Sequence, residues 1–183
     1  MRLLSAIGVL AILVVIAGAI YFFVGFYNVA ADSHEPQVVS SALVSVRQAS
    51  VARHAAGITP PASINDLSVI RSGASAFVAR GCVNCHGAPG LEWAKFSEGL
   101  EPAPPDLKEV GPPADPAQIF WVIKNGIRMT AMPSFGKVGV QDEEIWSLVA
   151  LVKSLDKISD ADFKAWTAPS AGQGGTGSQP VPP

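Results

Sequence analysis

The sequence predicts an all-α chain in which one membrane-spanning helix precedes a small helical domain. No charged residue occurs from Leu3 to Ala31, and a run of that length exceeds the ~20 residues that cross a hydrocarbon core of ~30 Å. Apolar residues then recur at helical spacing in three segments, 66–80, 116–125 and 142–155. The 183 residues, 49% of them hydrophobic, suffice for one compact domain after the apolar run.

Residues 1–31 are expected to stay in place as a membrane anchor. Arg2 precedes the apolar run and Asp32 is the next charge, which places the N-terminus in the cytoplasm and the rest of the chain outside. Ring side chains favour the headgroup region, and an aromatic cluster lies at the far end of the run: Tyr21, Phe22, Phe23, Phe26 and Tyr27. The alternative is a signal peptide cleaved after the small residues 29–31, but signal cores span only ~7–15 residues.

Residues 32–62 are expected to form a juxtamembrane helix and linker. Four residues recur at helical spacing, namely Val39, Leu43, Val46 and Ser50. Gly57 and the pair Pro60–Pro61 end the helix. This segment is interpreted as a stalk or a collar packed on the domain. In the alternative interpretation, Arg47 and Arg53 touch anionic headgroups, or the helix docks on a partner subunit.

The segment from Cys82 to His86 reads C-x-x-C-H, the attachment motif of a c-type haem. Two thiols three positions apart lie on one side of a helical turn, where both reach the vinyl groups of one porphyrin, and the adjacent imidazole lies beneath the iron. These are the only cysteines of the chain. A thioredoxin-like pair would follow a strand in a βαβ unit, and a zinc site needs about four ligands. We therefore predict one covalently attached haem c.

A second short segment, 126–136, supplies the sixth ligand of the iron in this interpretation. It contains Met129 and Met132, the only methionines besides Met1. Pro133 restricts Met132 to an extended backbone, which suits a ligand held rigidly by a loop, so Met132 is preferred and Met129 is the alternative. The two histidines upstream, His34 and His54, are expected to be exposed titratable groups rather than ligands.

The haem domain is expected to span residues 63–166. Its first helix, Asp66 to Arg80, carries Gly73 on its apolar face, which indicates close approach of another helix. A proline-rich loop after the motif covers the haem edge, and a proline carbonyl there accepts a hydrogen bond from the ligating histidine. The last helix, Asp142 to Leu155, would place Trp146 against Gly73, and residues 167–183 are expected to be a disordered tail.

The stretch from about Asp66 to Leu155 resembles class I monohaem cytochromes c, in particular the membrane-anchored bacterial kind. The resemblance rests on the following motifs: C-x-x-C-H at 82–86, Gly73 with Phe77, Pro105-Asp106-Leu107, Asn125-Gly126-Ile127, Met132-Pro133 and Trp146. It implies a cytochrome c fold of three to five helices around one covalently bound haem. It also implies that Pro105 offers its carbonyl to His86, that Leu107 packs on the porphyrin, and that the first and last helices cross at Gly73.

The expected function is one-electron transfer without catalysis, because His86 and Met132 fill both axial positions of the iron. The expected partners are redox proteins, either a membrane complex or a periplasmic dehydrogenase, at the periplasmic face of a bacterial inner membrane. The alternatives are a haem subunit of a larger oxidoreductase, or a peroxidase or gas sensor with a labile sixth ligand. Lys124, Arg128 and Lys137 form either a basic rim for an acidic partner or an ordinary solvated surface. No nucleic-acid or phosphate motif occurs.

Overall fold

The computed structural model describes residues 2–33 and 35–168, and the regular elements in that part of the chain are helical. Three are 3₁₀ turns, at Ala62–Asn65, Lys95–Gly99 and Leu155–Lys157. The α-helices are α1 Arg2–Phe23, α2 Gln37–Ala55, α3 Leu67–Ala79, α4 Val83–His86, α5 Leu107–Val110, α6 Pro116–Asn125, α7 Asp142–Val152 and α8 Asp160–Thr167. The chain divides into two units at Gln37, and each is described by itself. The all-helical prediction is confirmed.

The first unit is built on α1, whose length and composition suit a membrane span. Its 22 residues include a window with a mean hydropathy of 2.9, and no side chain of that window is buried. The helix confirms the predicted apolar segment and is consistent with membrane anchoring. A signal sequence near an N-terminus has the same two properties.

The second unit is organised around the crossing of α3 and α7. A Cβ added to Gly73 would lie 2.0 Å from the carbonyl oxygen of Ser147 and 3.0 Å from Cβ of Leu151, so only glycine fits there. The helix approach expected at Gly73 is therefore present, but the prediction for Trp146 is wrong. Its ring stacks on Phe120 instead, with the ring centroids 4.2 Å apart, because the backbone at Ser147 occupies the space over Gly73.

Apolar side chains of α3, α6, α7 and α8 fill one core beneath this crossing. The largest fully buried side chains are Phe77, Ile145, Leu148, Val149, Leu151 and Phe163. At the C-terminal end of α3, Arg80 forms a bidentate ion pair with Glu144 of α7, with N–O distances of 2.7 and 3.0 Å. The pair joins the two crossing helices at the edge of the core.

The chain after α7 differs from the sequence-based expectation. The predicted helix to Leu155 ends at Val152 and gives way to the 3₁₀ turn, and α8 follows at Asp160–Thr167. Sequence reasoning missed α8, although Ser159 caps it by accepting a hydrogen bond from the Asp162 backbone N–H at 3.1 Å. The helix runs through Thr167, where the predicted tail began, and residues 169–183 of that tail lie outside the described residues.

Helix α2 belongs to the second unit, and its buried residues lie in its last two turns. Val51 and Ala55 are buried, and the imidazole of His54 lies 5.7 Å from the ring of Trp121 in α6, measured between centroids. The helix ends before Gly57, which has a φ of 86°, as expected. The collar interpretation therefore applies to the C-terminal end of α2.

Candidate haem site

The C-x-x-C-H motif lies on a single helical turn that follows α3 directly. Gly81 has a positive φ of 76°, which lets the chain turn from α3 into α4. The backbone N–H of Cys82 donates to Phe77 O, and that of His86 donates to Cys82 O, both at 3.0 Å. The turn ends at Gly87, whose φ is 61°. Cys82 and Cys85 are thus held three positions apart on one turn, as the motif predicts.

Both cysteines are free thiols and half-buried. Burial raises the pKa of Cys82 to about 11, so its thiol is protonated at neutral pH. Thiols that carry out disulfide exchange have the opposite property, a pKa lowered toward neutrality.

His86 is oriented by one backbone carbonyl. Its Nδ1 donates to the carbonyl oxygen of Pro105 at 2.9 Å, and since a carbonyl only accepts, Nδ1 carries the proton and Nε2 has the free lone pair. Burial lowers the pKa of His86, and the bond to Pro105 partly opposes this shift. The imidazole is thus held neutral, in the tautomer that binds a metal through Nε2.

The segment after Pro105 is anchored to the core. Asp106 caps α5 by accepting a hydrogen bond from the Lys108 backbone N–H at 2.8 Å, and Leu107 is half-buried against the core cluster. Gly111, which follows α5, is tightly packed. A Cβ added to it would lie 2.6 Å from Cγ1 of Val152. These contacts hold the peptide that carries the Pro105 carbonyl.

Lys153 provides a further contact that sequence reasoning missed. In the structure it follows α7, and its Nζ donates to the carbonyl oxygens of Pro112 and, at 2.6 Å, Ala114. Lys153 thus joins the end of α7 to the proline-rich loop downstream of Pro105.

The two methionines of the loop 126–136 lie in different environments. Met132 is half-buried against the core cluster, its carbonyl accepts from Ile127 N–H at 3.2 Å, and its own N–H donates to Thr130 Oγ1 at 3.1 Å. Met129 is 92% exposed and has a φ of 60°. The loop therefore presents Met132 to the interior and Met129 to solvent, which favours Met132 as the ligand.

Of the two upstream histidines, the structure describes His54. The Nδ1 of His54 lies 2.8 Å from the carbonyl oxygen of Ser50 on its own helix, and its ring contacts Trp121. His34 lies outside the described residues. Among the described histidines, His86 lies on the turn that carries the two thiols.

The predicted basic rim is smaller than expected. Lys124 Nζ pairs with Asp142 at 2.7 Å and lies 5.4 Å from the ring centroid of Phe120. Arg128 and Lys137 are exposed. The charge of Lys124 is thus partly neutralised within the domain, which leaves two of the three residues for contact with a partner.

A cavity of about 560 Å³ adjoins His86. Its walls come from the loop 87–93, the start of α5, the 3₁₀ turns around residues 95–98 and 155, and Asp160 at the start of α8. Neither thiol, nor Leu107 or Met132, lines it. The cavity is therefore a charged groove beside the motif loop, and His86 is the one predicted ligand among the residues that line it.

Comparison with known proteins gives one family match. Residues 68–152 match the family described as "Cytochrome C oxidase, cbb3-type, subunit III". The matched range begins in α3, includes both thiols, His86 and Met132, and ends with α7. Curated proteins and solved structures give no match.

Proposed function

We propose, from the premise that residues 68–152 are a c-type cytochrome domain, that this protein is a membrane-anchored carrier of single electrons. In this proposal one haem c is attached through Cys82 and Cys85 and ligated by His86 and Met132. The observation that carries it is the 2.9 Å hydrogen bond from His86 Nδ1 to the Pro105 carbonyl, because it prepares Nε2 for iron on the turn that also presents two free thiols.

The donor set of these residues fits a haem. The porphyrin iron supplies a one-electron ferric/ferrous couple when bound, and His/Met ligation raises its reduction potential. The two thiols would anchor the group, Pro105 would fix the plane of the His86 ring, and Leu107 would pack beside it. Met132 would hold the iron together with His86 and exclude small substrates, which favours electron transfer over catalysis.

The proposed location is the periplasmic face of a bacterial inner membrane, with the N-terminus in the cytoplasm and α1 retained. The support is the length of α1, 22 residues, which exceeds the ~7–15 residues of a signal peptide core. Covalent attachment of haem outside the cytoplasm agrees with an exported domain. Its partners would be a membrane complex or a periplasmic dehydrogenase that supplies or accepts electrons at that surface.

A second candidate function is that of a fixed haem subunit in a larger membrane oxidoreductase. It is favoured by the family match, whose description names an oxidase subunit. Extraction of the full chain in mild detergent distinguishes the two functions. A free carrier elutes at the mass of its own micelle, whereas a subunit elutes with a stoichiometric dehydrogenase or oxidase.

Carbon monoxide binding tests the closed iron site. The reduced native protein is expected not to bind carbon monoxide, because Met132 occupies the sixth position, and mild denaturation is expected to permit binding. Rapid binding to the native protein would overturn the carrier proposal in favour of a peroxidase or a gas sensor with an open or labile site.

A further inference from the structure

Helix α2 exposes an apolar stripe that the rest of the second unit leaves unburied. Val39, Leu43 and Val46 lie one and two turns apart on one face of the helix, and their side chains are 37%, 58% and 67% exposed. Val51 and Ala55, which pack on the haem domain, lie on another face. We define the apolar stripe as Val39, Leu43 and Val46.

The sequence of α2 is a poor helix former by itself. Residues 37–49 include four valines and three serines, and both residue types have lower helix propensity than alanine or leucine because of restricted rotamers and competing hydrogen bonds. Isolated helices of this length are marginal even with favourable sequences. The N-terminal part of α2 therefore needs a surface that covers it.

Charge identifies the chemistry of that surface. Gln37–Ala55 contains Arg47 and Arg53 and no Asp or Glu. At 3.6 residues per turn, Arg47 lies beyond Leu43 on one edge of the apolar stripe, and Arg53 lies beyond Val46 on the other edge. An apolar stripe between long cationic side chains matches the boundary between acyl chains and anionic headgroups.

We propose that the apolar stripe of α2 lies in the headgroup region of an anionic bilayer, with Arg47 and Arg53 on lipid phosphates. The inference rests on the proposed function in one respect, the retention of α1 in the membrane. Residues 24–36 connect α1 to α2 and extend over at most about 45 Å, so the helix begins within reach of the bilayer.

This contact would orient the haem domain. Val51 and Ala55 join the C-terminal end of α2 to the domain, and His54 contacts Trp121 of α6. A helix held on the lipid surface at one end and packed on the domain at the other limits the directions in which the haem domain faces its partners. The lipid contact thus selects which surface of the domain is presented along the membrane.

Spin labelling of the full-length holoprotein in nanodiscs tests the proposal. Single cysteines replace Leu43 on the stripe and, as a matched control, Ser45, which is exposed and two residues away on the other side of the helix. Collision with dissolved oxygen, which concentrates in lipid, is compared with collision with a water-soluble nickel complex. The parent chain is expected to take up no label, because both native thiols are used by the haem.

In anionic discs the oxygen-to-nickel accessibility ratio is expected to be several-fold higher at position 43 than at position 45. The difference is expected to shrink in zwitterionic discs and in the double variant Arg47→Gln/Arg53→Gln. Equal ratios at the two positions would overturn the proposal. Shielding of position 43 from both reagents would also overturn it, by showing that protein covers the stripe. The mass of the mature chain and the haem spectrum, recorded on the same samples, report separately on α1 retention and on haem binding.

Discussion

The N–H of His86 Nδ1 donates a hydrogen bond to the carbonyl oxygen of Pro105, 2.9 Å away. This single contact leaves Nε2 as the nitrogen that can bind a metal. A carbonyl partner is the general expectation for a ligating histidine, while the choice of Pro105 followed from the resemblance to class I cytochromes c. The structure contains that hydrogen bond. The roles of Pro105 and Leu107 toward the haem itself stay predictions.

Lys153→Met tests the anchoring of the proline-rich loop at the residue scale. The substitution keeps an apolar stem but leaves the carbonyls of Pro112 and Ala114 without their cationic donor, and hydrogen bonds to charged groups contribute about 2 kcal/mol. Chemical denaturation of the holoprotein should show a loss of about that size. The matched variant at an exposed lysine, Lys137→Met, is expected to change the free energy of unfolding little. Equal losses would show that Lys153 has no special role.

The Lys153 contact also shows which contacts of single residues cannot be predicted from the sequence. Its two partners lie 41 and 39 residues earlier in the chain, so only the packing of α7 against the end of α5 brings them together. The choice between Met129 and Met132, in contrast, could be made from the sequence. Pro133 favoured Met132 from the sequence, and the 92% exposure of Met129 points the same way.

The crossing of α3 and α7 is the main packing contact at the scale of elements, and Gly73→Ala tests it. The added Cβ would lie 2.0 Å from Ser147 O, so the helices must move apart, at a cost of about 3 kcal/mol. Thermal or chemical unfolding of the holoprotein measures this loss. Gly99→Ala is the control, because a Cβ there meets nothing within 4 Å. Similar stabilities for the two variants would contradict the close helix crossing.

The ion pair between α3 and α7 predicts a pH dependence. The hydrogen bond from Arg80 holds the pKa of Glu144 below its ordinary value of 4.5. A carboxylate with a lowered folded-state pKa stabilises the fold above the unfolded-state value, and this stabilisation disappears as the pH falls through the folded-state value. Glu144→Gln should therefore destabilise the protein at pH 7, by up to about 1 kcal/mol given its partial exposure.

The difference in the free energy of unfolding between the parent protein and Glu144→Gln should disappear on acidification below pH 4.5. Urea unfolding at several pH values measures this difference. Glu143→Gln removes the same charge from the same helical turn and leaves the Arg80 contact in place, so its stability difference from the parent protein should lack this pH profile. A stability difference for Glu144→Gln that stays constant through the acid range would contradict a stabilising Arg80–Glu144 ion pair.

Most elements were predictable from the sequence because they carry local signals. The helix Pro116–Asn125 was predicted with its observed bounds, since Pro116 and Gly126 mark its two ends. Helix α8 was missed, although Ser159, followed three residues later by Asp162, is a capping signal and Phe163 lies within the helix. The ring of Trp146 was misplaced because local periodicity does not reveal which neighbour lies across a helix crossing.

At the scale of the whole molecule, the retention of α1 decides whether the haem domain is confined to a membrane surface. Alkaline carbonate washing of membranes should leave the protein in the pellet, and the mass of the purified chain should include residues 1–31. These outcomes follow from an apolar helix of 22 residues, which is long enough to span a bilayer. Recovery of a water-soluble chain that begins near Asp32 would show that the segment is a signal peptide.

The central claim is that His86 and Met132 together close the iron site of an electron carrier. The visible spectrum of the oxidised holoprotein tests it most directly, through the sulfur-to-iron charge-transfer band that marks thioether ligation. The parent protein and Met129→Ala should both show the band. Met132→Ala should lose it, and should bind carbon monoxide when reduced. Retention of the band in Met132→Ala, with its loss in Met129→Ala, would contradict the account.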